Sequence, residues 1–245
     1  MKLTVLGYWG AYPWNDEGTS SYLLTSGDFS LLIDAGSGTF NQLRKHVDPL
    51  ALDAVILSHY HHDHIADLGV LQFYRQLNQQ IGQPILPIYG HTEHEFYYSS
   101  LTMPDVSQGH AYAEGETTEI GPFSITYLRT KHPVPCFAMR ITEKTTGKSL
   151  VYTADSGWLD AFDEFVKGTD LLVADSYFLS GTENHPVHFS VKEVAEMTLR
   201  GEIPTVLLSH LQQRVDLDEL LRQAQAITQN KAEALLAKTG LTLTI

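Results

Sequence analysis

The most informative stretch of this sequence is Ser58-His59-Tyr60-His61-His62-Asp63-His64. It directly follows residues 54–57, a short apolar run that predicts a buried strand. Alternate residues of an extended chain share one face, so His59 and His61 point the same way and can hold one ion. Asp63 and His64 lie beyond the strand end, where the chain turns into a helix, and can face a second ion.

The residue types in this stretch indicate metal binding. Imidazole and carboxylate suit zinc, manganese or iron, and one tetrahedral site needs only three or four ligands. The window from His59 to His64 therefore supplies enough ligands for a shared two-metal site. The alternative is a histidine-rich surface turn that binds nothing. Packing, however, gives no reason to place an H-x-H-x-D-H string at a strand-to-helix junction.

Strand and helix patterns alternate along the rest of the chain. Short apolar runs bounded by Gly, Asp or Ser predict strands, and apolar residues three or four positions apart predict helices, as from Ile65 to Tyr74. The last helical stretch is expected between Leu217 and Gly240, before a closing strand at 241–245. This order predicts one α/β domain over residues 1–245, with two sheets packed together and helices outside.

The composition limits the classes of partner. The chain has 245 residues, 43% of them hydrophobic, which excludes intrinsic disorder as the main state. Its formal net charge of −13 disfavours a long nucleic acid. We find neither a secretory signal nor an apolar stretch long enough to span a membrane. The single cysteine, Cys136, is expected to be a core residue in a cytoplasmic protein.

The H-x-H-x-D-H string resembles the signature of the metallo-β-lactamase superfamily, and the resemblance covers nearly the whole chain. It implies an αββα fold, in which two mixed sheets pack as a sandwich with helices on both outer faces. Asp34, directly after residues 31–33, resembles the family's first motif. The resemblance implies that its carboxylate orients a ligand histidine. A plain strand-ending turn is the alternative for Asp34.

Three further residues, each after an apolar strand and at the start of a loop, match the remaining ligand positions of the family: His132, Asp155 and His210. The resemblance implies two divalent ions, zinc first and manganese or iron as alternatives, which acidify a shared water for hydrolysis. The implied arrangement has Asp155 between two ions, one held by His59, His61 and His132 and the other by Asp63, His64 and His210.

Other details resemble the ribonuclease Z-like phosphodiesterase branch. His188 matches a histidine that acts near the scissile phosphate, and His185 competes for that role. Asp175 stands where the branch has a glutamate, one methylene longer, so the geometry of a carboxylate–imidazole pair is open. Arg214 matches an arginine that could clamp a phosphate, or it is a solvated side chain. The implied catalytic residues are Asp63, Asp175, His188 and Arg214.

The substrate is expected to be small. The tRNA-processing members carry a long RNA-gripping arm between the positions of His132 and Asp155, whereas residues 133–154 suffice here for two strands and a turn. This departure and the negative charge argue against tRNA 3′ processing. They favour a small phosphodiester, such as a cyclic nucleotide or a short oligonucleotide. A thioester or lactone hydrolase on the same metals and an iron-binding redox or sensor protein are the alternatives.

The aromatic stretch 8–14, Tyr-Trp-Gly-Ala-Tyr-Pro-Trp, has three interpretations. It could overhang the metal site and stack a base or an apolar group. It could equally pack in the core or form the contact of a homodimer.

Overall fold

The computed structural model describes all 245 residues. They form two compact units, of which the first contains residues 1–113 and 238–244 and the second contains residues 114–237 and Ile245. None of the helices combines the length and the apolar character needed to cross a membrane. The expectation of one domain over residues 1–245 stays a prediction.

The first unit is built on an eight-stranded sheet with the order β15-β1-β3-β4-β5-β6-β7, in which β2 pairs with β1. The strands are β1 (Lys2–Trp9), β2 (Gly18–Thr19), β3 (Ser21–Ser26), β4 (Phe29–Ile33), β5 (Ala54–Ile56), β6 (Leu86–His91), β7 (Ser107–Tyr112) and β15 (Thr242–Thr244). Strands β1, β3 and β4 are antiparallel, whereas β4 to β7 run parallel. The helices are α1 (Thr39–Leu43), α2 (His62–Ile65), α3 (Leu68–Asn78) and α4 (Glu95–Ser100).

The parallel pair β4 and β5 explains where the polar residues of this unit meet. Ile33 lies beside Ile56 in the register of the two strands, so their carboxyl ends share one edge of the sheet. Residue Asp34 follows β4 and Ser58 comes two positions after β5. The strands themselves are almost wholly buried, as expected for parallel strands covered on both faces. Their ends are therefore the points at which buried apolar chain gives way to functional side chains.

The second unit contains a seven-stranded sheet with the order β14-β13-β12-β11-β10-β9-β8. The strands are β8 (Thr117–Ile120), β9 (Phe123–Arg129), β10 (Phe137–Glu143), β11 (Ser149–Tyr152), β12 (Leu171–Asp175), β13 (Thr205–Ser209) and β14 (Glu233–Leu236). Strands β8 to β11 are antiparallel and β11 to β14 are parallel. The helices are α5 (Ala161–Phe165), α6 (Val191–Arg200) and α7 (Leu217–Thr228).

In the second unit, too, the carboxyl ends of neighbouring parallel strands bring polar residues to one edge of the sheet. Asp175, the last residue of β12, lies beside Ser209, the last residue of β13, so His210 follows at the same edge. Helix α6 begins with a capping box, because Ser190 and Glu193 each satisfy the other's backbone N–H. This cap fixes the point at which the chain leaves His188 and enters the helix.

The two mixed sheets with helices agree with the predicted fold class, and Cys136 is buried as expected. The prediction of helix up to Gly240 is wrong. Helix α7 ends at Thr228 because Gln229 and Asn230 take left-handed φ angles of 47° and 64°. The next apolar run forms β14 and pairs with β13. A short apolar run does not by itself distinguish a buried strand from a helix.

Candidate metal centre

His59 and His61 present one ring nitrogen each to the same point in the first unit. Nε2 of His59 lies 3.1 Å from Nδ1 of His61. The backbone at His61 is extended, with ψ of 147°, and α2 begins only after it, so both histidines precede the first helical turn. Two imidazole nitrogens on one tetrahedral zinc lie ~3.3 Å apart when each bond is ~2.0–2.1 Å. The observed separation fits two ligands of one ion.

Asp34 connects the ends of β4 and β5. The residue is fully buried and has a left-handed φ of 55°. Its carboxylate accepts hydrogen bonds from the backbone N–H of Ser58 at 2.7 Å and from the Ser58 hydroxyl at 2.8 Å. Nδ1 of His64 lies 2.8 Å from the same carboxylate. One carboxylate thus holds the start of the histidine string and its last histidine.

These contacts determine where the histidine protons sit. Asp34 accepts at His64 Nδ1, so that nitrogen carries the proton and Nε2 keeps its lone pair. The Ser58 hydroxyl gives its hydrogen to Asp34 and lies 3.0 Å from Nδ1 of His59, so it accepts the proton of that ring as well. Both histidines therefore offer Nε2 as a metal ligand. Ser58 was missed by the sequence reasoning, although its position directly before His59 was a usable signal.

Asp63 lies beside His64, with Oδ2 at 3.5 Å from the His64 Nε2 atom. This spacing again suits two ligands of one ion. The turn that carries them packs tightly against Gly36, where a Cβ atom would lie 2.2 Å from the Asp63 carbonyl oxygen. Only glycine fits this close approach. The pattern Asp34-Ala35-Gly36 therefore has two roles. Asp34 supplies the carboxylate that binds Ser58 and His64, and Gly36 leaves room for the turn that carries Asp63 and His64.

The loop after β1 is tied to Asp63. The backbone N–H of Ala11 donates to Asp63 Oδ2 at 2.7 Å. Tyr8 and Trp9 are buried, whereas Tyr12 and Trp14 are exposed and form an edge-to-face pair with ring centroids 6.4 Å apart. The first part of the aromatic stretch thus packs in the core, and the two exposed rings follow the backbone N–H that binds Asp63 by one and three residues.

In the second unit, Asp155 lies between two histidines. Its Oδ2 atom is 3.9 Å from Nε2 of His132 and 3.3 Å from Nε2 of His210. His132 follows β9, Asp155 follows β11 and His210 follows β13. Nδ1 of His132 lies 3.4 Å from the carbonyl oxygen of Val187, so a proton there leaves Nε2 unprotonated. A carboxylate oxygen between two such nitrogens has the position of a ligand shared by two sites.

Asp175 forms a carboxylate–imidazole pair with His188. Oδ2 of Asp175 lies 2.8 Å from Nδ1 of His188, and Oδ1 lies 3.6 Å from Nδ1 of His210. Burial raises the pKa of the Asp175 carboxyl, but the imidazoles of His188 and His210 outweigh burial and hold that pKa below its usual value. Asp175, although one methylene shorter than the glutamate of the ribonuclease Z-like branch, thus reaches His188. The ligand atoms of the three residues form one cluster that could itself hold a cation.

His185 is held differently from His188. Its Nδ1 atom accepts the backbone N–H groups of Val187 and His188, both at 3.3 Å. Desolvation, followed by repulsion from His188, lowers the pKa of His185. Tyr177, which no sequence signal singled out, stacks on the His188 ring with centroids 4.5 Å apart. The geometry of these rings favours His188 as the partner of Asp175.

Arg214 does not join this cluster. It is an exposed residue in the turn between β13 and α7 and forms no ion pair with Asp175. The exposed position agrees with the solvated alternative and leaves its catalytic role as a prediction.

Comparison with known proteins identifies the family. Residues 30–211 match the family described as Beta-lactamase superfamily domain. The chain is 40% identical over 243 residues to the probable metallo-hydrolase YhfI of Bacillus subtilis, with 98% of each chain covered. It is 24% identical over 276 residues to a ribonuclease Z of Sulfolobus acidocaldarius, covering 93% of this chain and 94% of the relative.

Solved structures agree with the sequence relatives. The crystal structure of YhfI, a metallo-β-lactamase fold protein, superposes with a TM-score of 0.93 at 39% identity and covers 99% of each chain. A diphosphatase of the PhnP family has a TM-score of 0.78 at 19% identity, covers 100% of this chain and 97% of its own, and is similar in fold. The chain therefore belongs to the metallo-β-lactamase superfamily, as a metallo-hydrolase.

Proposed function

We propose that this metallo-hydrolase is a phosphodiesterase that uses two divalent metal ions, with zinc as the preferred metal. Its substrate is a small phosphodiester. The observation that carries the proposal is the contact of 2.8 Å between Asp175 and His188. A phosphodiester releases an alkoxide, which needs a proton as it leaves, whereas a thioester releases a thiol whose pKa is only ~8.5. A buried carboxylate that orients an imidazole is the arrangement suited to supply that proton.

The donor atoms of both units support the metal part of the proposal. In each unit, ring nitrogens and carboxylate oxygens approach one another at distances suited to ligands of one ion, as between His59 and His61. A pair of bound divalent ions would supply activation of a water nucleophile and neutralise charge on the phosphoryl group. By the family resemblance, the residues that hold the ions are His59, His61, Asp63, His64, His132, Asp155 and His210.

The surrounding residues keep these donors in the required protonation state. Asp34 accepts the proton at Nδ1 of His64, and Ser58 accepts it at Nδ1 of His59. In the second unit, the Val187 carbonyl oxygen lies 3.4 Å from Nδ1 of His132. Such outer hydrogen bonds set the tautomer of a ligand histidine and raise its basicity.

His188 acts as the proton donor in this proposal. In the imidazolium form of His188, Asp175 accepts the proton on Nδ1, and the second proton, on Nε2, is available to a substrate. The stacked Tyr177 ring keeps the imidazole from rotating away. His188 donates this proton to the leaving oxygen or, before that, holds a phosphoryl oxygen by a hydrogen bond.

The proposed substrate is a cyclic nucleotide or a short oligonucleotide. Between His132 and Asp155 the chain forms only β10, β11 and the turn that joins them, without an arm for RNA. The net charge of −13 disfavours a long phosphate backbone. The exposed rings of Tyr12 and Trp14 offer a surface on which one base could stack. Among the similar proteins, one is named a ribonuclease and another a diphosphatase.

A substrate panel tests the proposal. Zinc-loaded and manganese-loaded protein should hydrolyse bis-p-nitrophenyl phosphate and at least one of the 2′,3′-cyclic and 3′,5′-cyclic nucleotides. Activity on thioesters or lactones alone would contradict the phosphodiesterase proposal and favour the other hydrolase. Elemental analysis and a visible absorption spectrum of the natively expressed protein would identify an iron protein.

The role of His188 has a sharper test. The His188→Ala variant should lose ~10²–10⁴-fold in kcat with a cyclic nucleotide, because general acid catalysis contributes about that much. It should lose far less with bis-p-nitrophenyl phosphate, whose leaving group needs no proton, and it should keep both metals. His185→Ala is the matched control and should retain activity on both substrates. Equal losses on both substrates would show that His188 is not the proton donor.

A further inference from the structure

Glu193 is a buried carboxylate that holds both ends of the loop formed by residues 184–190, which we call the histidine loop because it carries His188. Oε1 of Glu193 accepts the backbone N–H of Asn184 at 2.8 Å. Oε2 accepts the backbone N–H of Ser190 at 2.8 Å and the Ser190 hydroxyl at 2.9 Å. Only 7% of Glu193 is exposed, so water competes little for these contacts.

The contact with Asn184 exceeds what a helix cap requires. The capping box of α6 consists of the exchange between Ser190 and Glu193 alone. Asn184 lies six residues before Ser190 and takes a left-handed φ of 61°. Its backbone is therefore held in a turn outside the helix, and Glu193 is the side chain that anchors this turn.

The chain between Asn184 and His188 is short and stiff. Pro186 lies in the middle of it, and the proline ring fixes φ. Gly157 packs directly against this segment, since a Cβ atom there would lie 2.2 Å from the His185 carbonyl oxygen. A closely packed segment moves as a unit rather than bending. A displacement of Asn184 therefore reaches the backbone of His188.

His188 tolerates little displacement. Its Nδ1 atom lies 2.8 Å from Oδ2 of Asp175, and N–H···O bonds weaken beyond ~3.2 Å, so a shift of about 0.5 Å is enough to loosen this contact. We propose that Glu193 is a positioning residue, which keeps Nδ1 of His188 on Asp175 by holding both ends of the histidine loop. This inference rests on the proposed function, in which His188 is the proton donor.

The proton between His188 and Asp175 gives a readout in the metal-free protein. Its NMR signal is assigned by its absence in His188→Ala, and its exchange with water reports how well the pair is held. Glu193→Ala should make this exchange ~10–100-fold faster, because loss of buried contacts favours local opening. Glu193→Gln keeps the size of the side chain but has one acceptor oxygen, so it can hold only one end of the loop. Its exchange should lie between those of the wild type and Glu193→Ala.

Ser190→Ala is the matched control. It removes the cap hydroxyl but leaves the contact between Glu193 and Asn184. The variant should have a lower Tm, because α6 loses its N-cap side chain, and it should keep the exchange rate of the wild type.

Kinetics with two leaving groups separate positioning from stability. At saturating zinc, Glu193→Ala should lower kcat for a cyclic nucleotide by ~10–100-fold, as the displacement of a catalytic group does. It should change kcat for bis-p-nitrophenyl phosphate far less, since that leaving group needs no proton. Ser190→Ala should leave kcat for both substrates unchanged.

Two results would overturn the inference. The first is wild-type exchange of the His188 proton in folded Glu193→Ala and Glu193→Gln variants. The second is a Ser190→Ala variant that loses as much kcat on the cyclic nucleotide as Glu193→Ala, which would reduce Glu193 to a helix cap. Failure of the proposed function has a different signature. A protein that hydrolyses no phosphodiester refutes that function, whereas the exchange rate in the metal-free protein still decides whether Glu193 positions His188.

Discussion

Replacing Ser58 with alanine should weaken metal binding although Ser58 is not itself a proposed ligand. Its hydroxyl donates to Asp34 Oδ2 at 2.8 Å and lies 3.0 Å from Nδ1 of His59. All three residues are fully buried. In the Ser58→Ala variant, His59 loses this hydrogen bond and with it the contact that keeps the proton on Nδ1. Part of the ring population can then shift the proton to Nε2, the nitrogen that faces His61.

The magnitude follows from the burial of these groups. Loss of a hydrogen bond to a buried donor costs ~1–3 kcal/mol. Loss of an outer contact to a ligand histidine lowers metal affinity by ~10–100-fold, and tenfold in affinity equals ~1.4 kcal/mol. The two ranges agree. We therefore expect zinc affinity to fall by ~10–100-fold and the free energy of unfolding of the metal-free protein to fall by ~1–3 kcal/mol.

Zinc competition against a chelator and urea unfolding of the metal-free protein measure the two effects separately. Ser107→Ala is the matched control, because the buried Ser107 hydroxyl donates to the Leu101 carbonyl oxygen at 2.8 Å and contacts no histidine. It should lose stability and keep its zinc affinity. The reasoning is refuted if Ser58→Ala binds zinc within twofold of the wild type, or if Ser107→Ala loses as much affinity.

Three further predictions concern stability, metal content and substrate binding. Gly36→Ala should lower the free energy of unfolding in urea by ~3 kcal/mol or more, because the added Cβ atom would lie 2.2 Å from the Asp63 carbonyl oxygen. Gly69→Ala is the control: the space around Gly69 is open, so this variant should instead stabilise α3 by up to ~1 kcal/mol. Asp155→Ala should abolish hydrolysis and weaken both ions, and retention of two zinc equivalents in elemental analysis would contradict its shared role. Trp14→Ala should raise KM for a cyclic nucleotide by about tenfold, since one stacked base contributes ~1–3 kcal/mol to binding. If KM for a phosphodiester without a base rises equally, stacking on Trp14 is contradicted.

The fold class could be predicted because its elements have strong local signals. Short apolar runs ended by polar residues correspond to β4, β5 and β12, and the period of α3 is visible in Leu68 and Leu71. The order of strands in each sheet was not predictable, since pairing joins residues far apart in sequence. The run 233–236 shows the limit of local signals, because its place beside β13 decides that it is a strand.

The candidate donor residues of the site were predicted from the sequence alone. The string from His59 to His64 has a spacing that brings its donors together within a few residues, whatever the rest of the chain does. The isolated candidates His132, Asp155 and His210, each after another strand, could be proposed from the resemblance to the family. The protonation states of the histidines could not be predicted from the sequence.

Only the tertiary structure decided how these residues are held. Ile33 lies beside Ile56, and this register of two parallel strands brings Asp34 to Ser58 and His64. In the second unit, the fold brings Asp175 to His188, while backbone N–H groups occupy Nδ1 of His185. The reason is physical: a metal ligand is defined by its chemical type, which the sequence states, whereas its tautomer depends on a partner that only the packing of distant strands supplies.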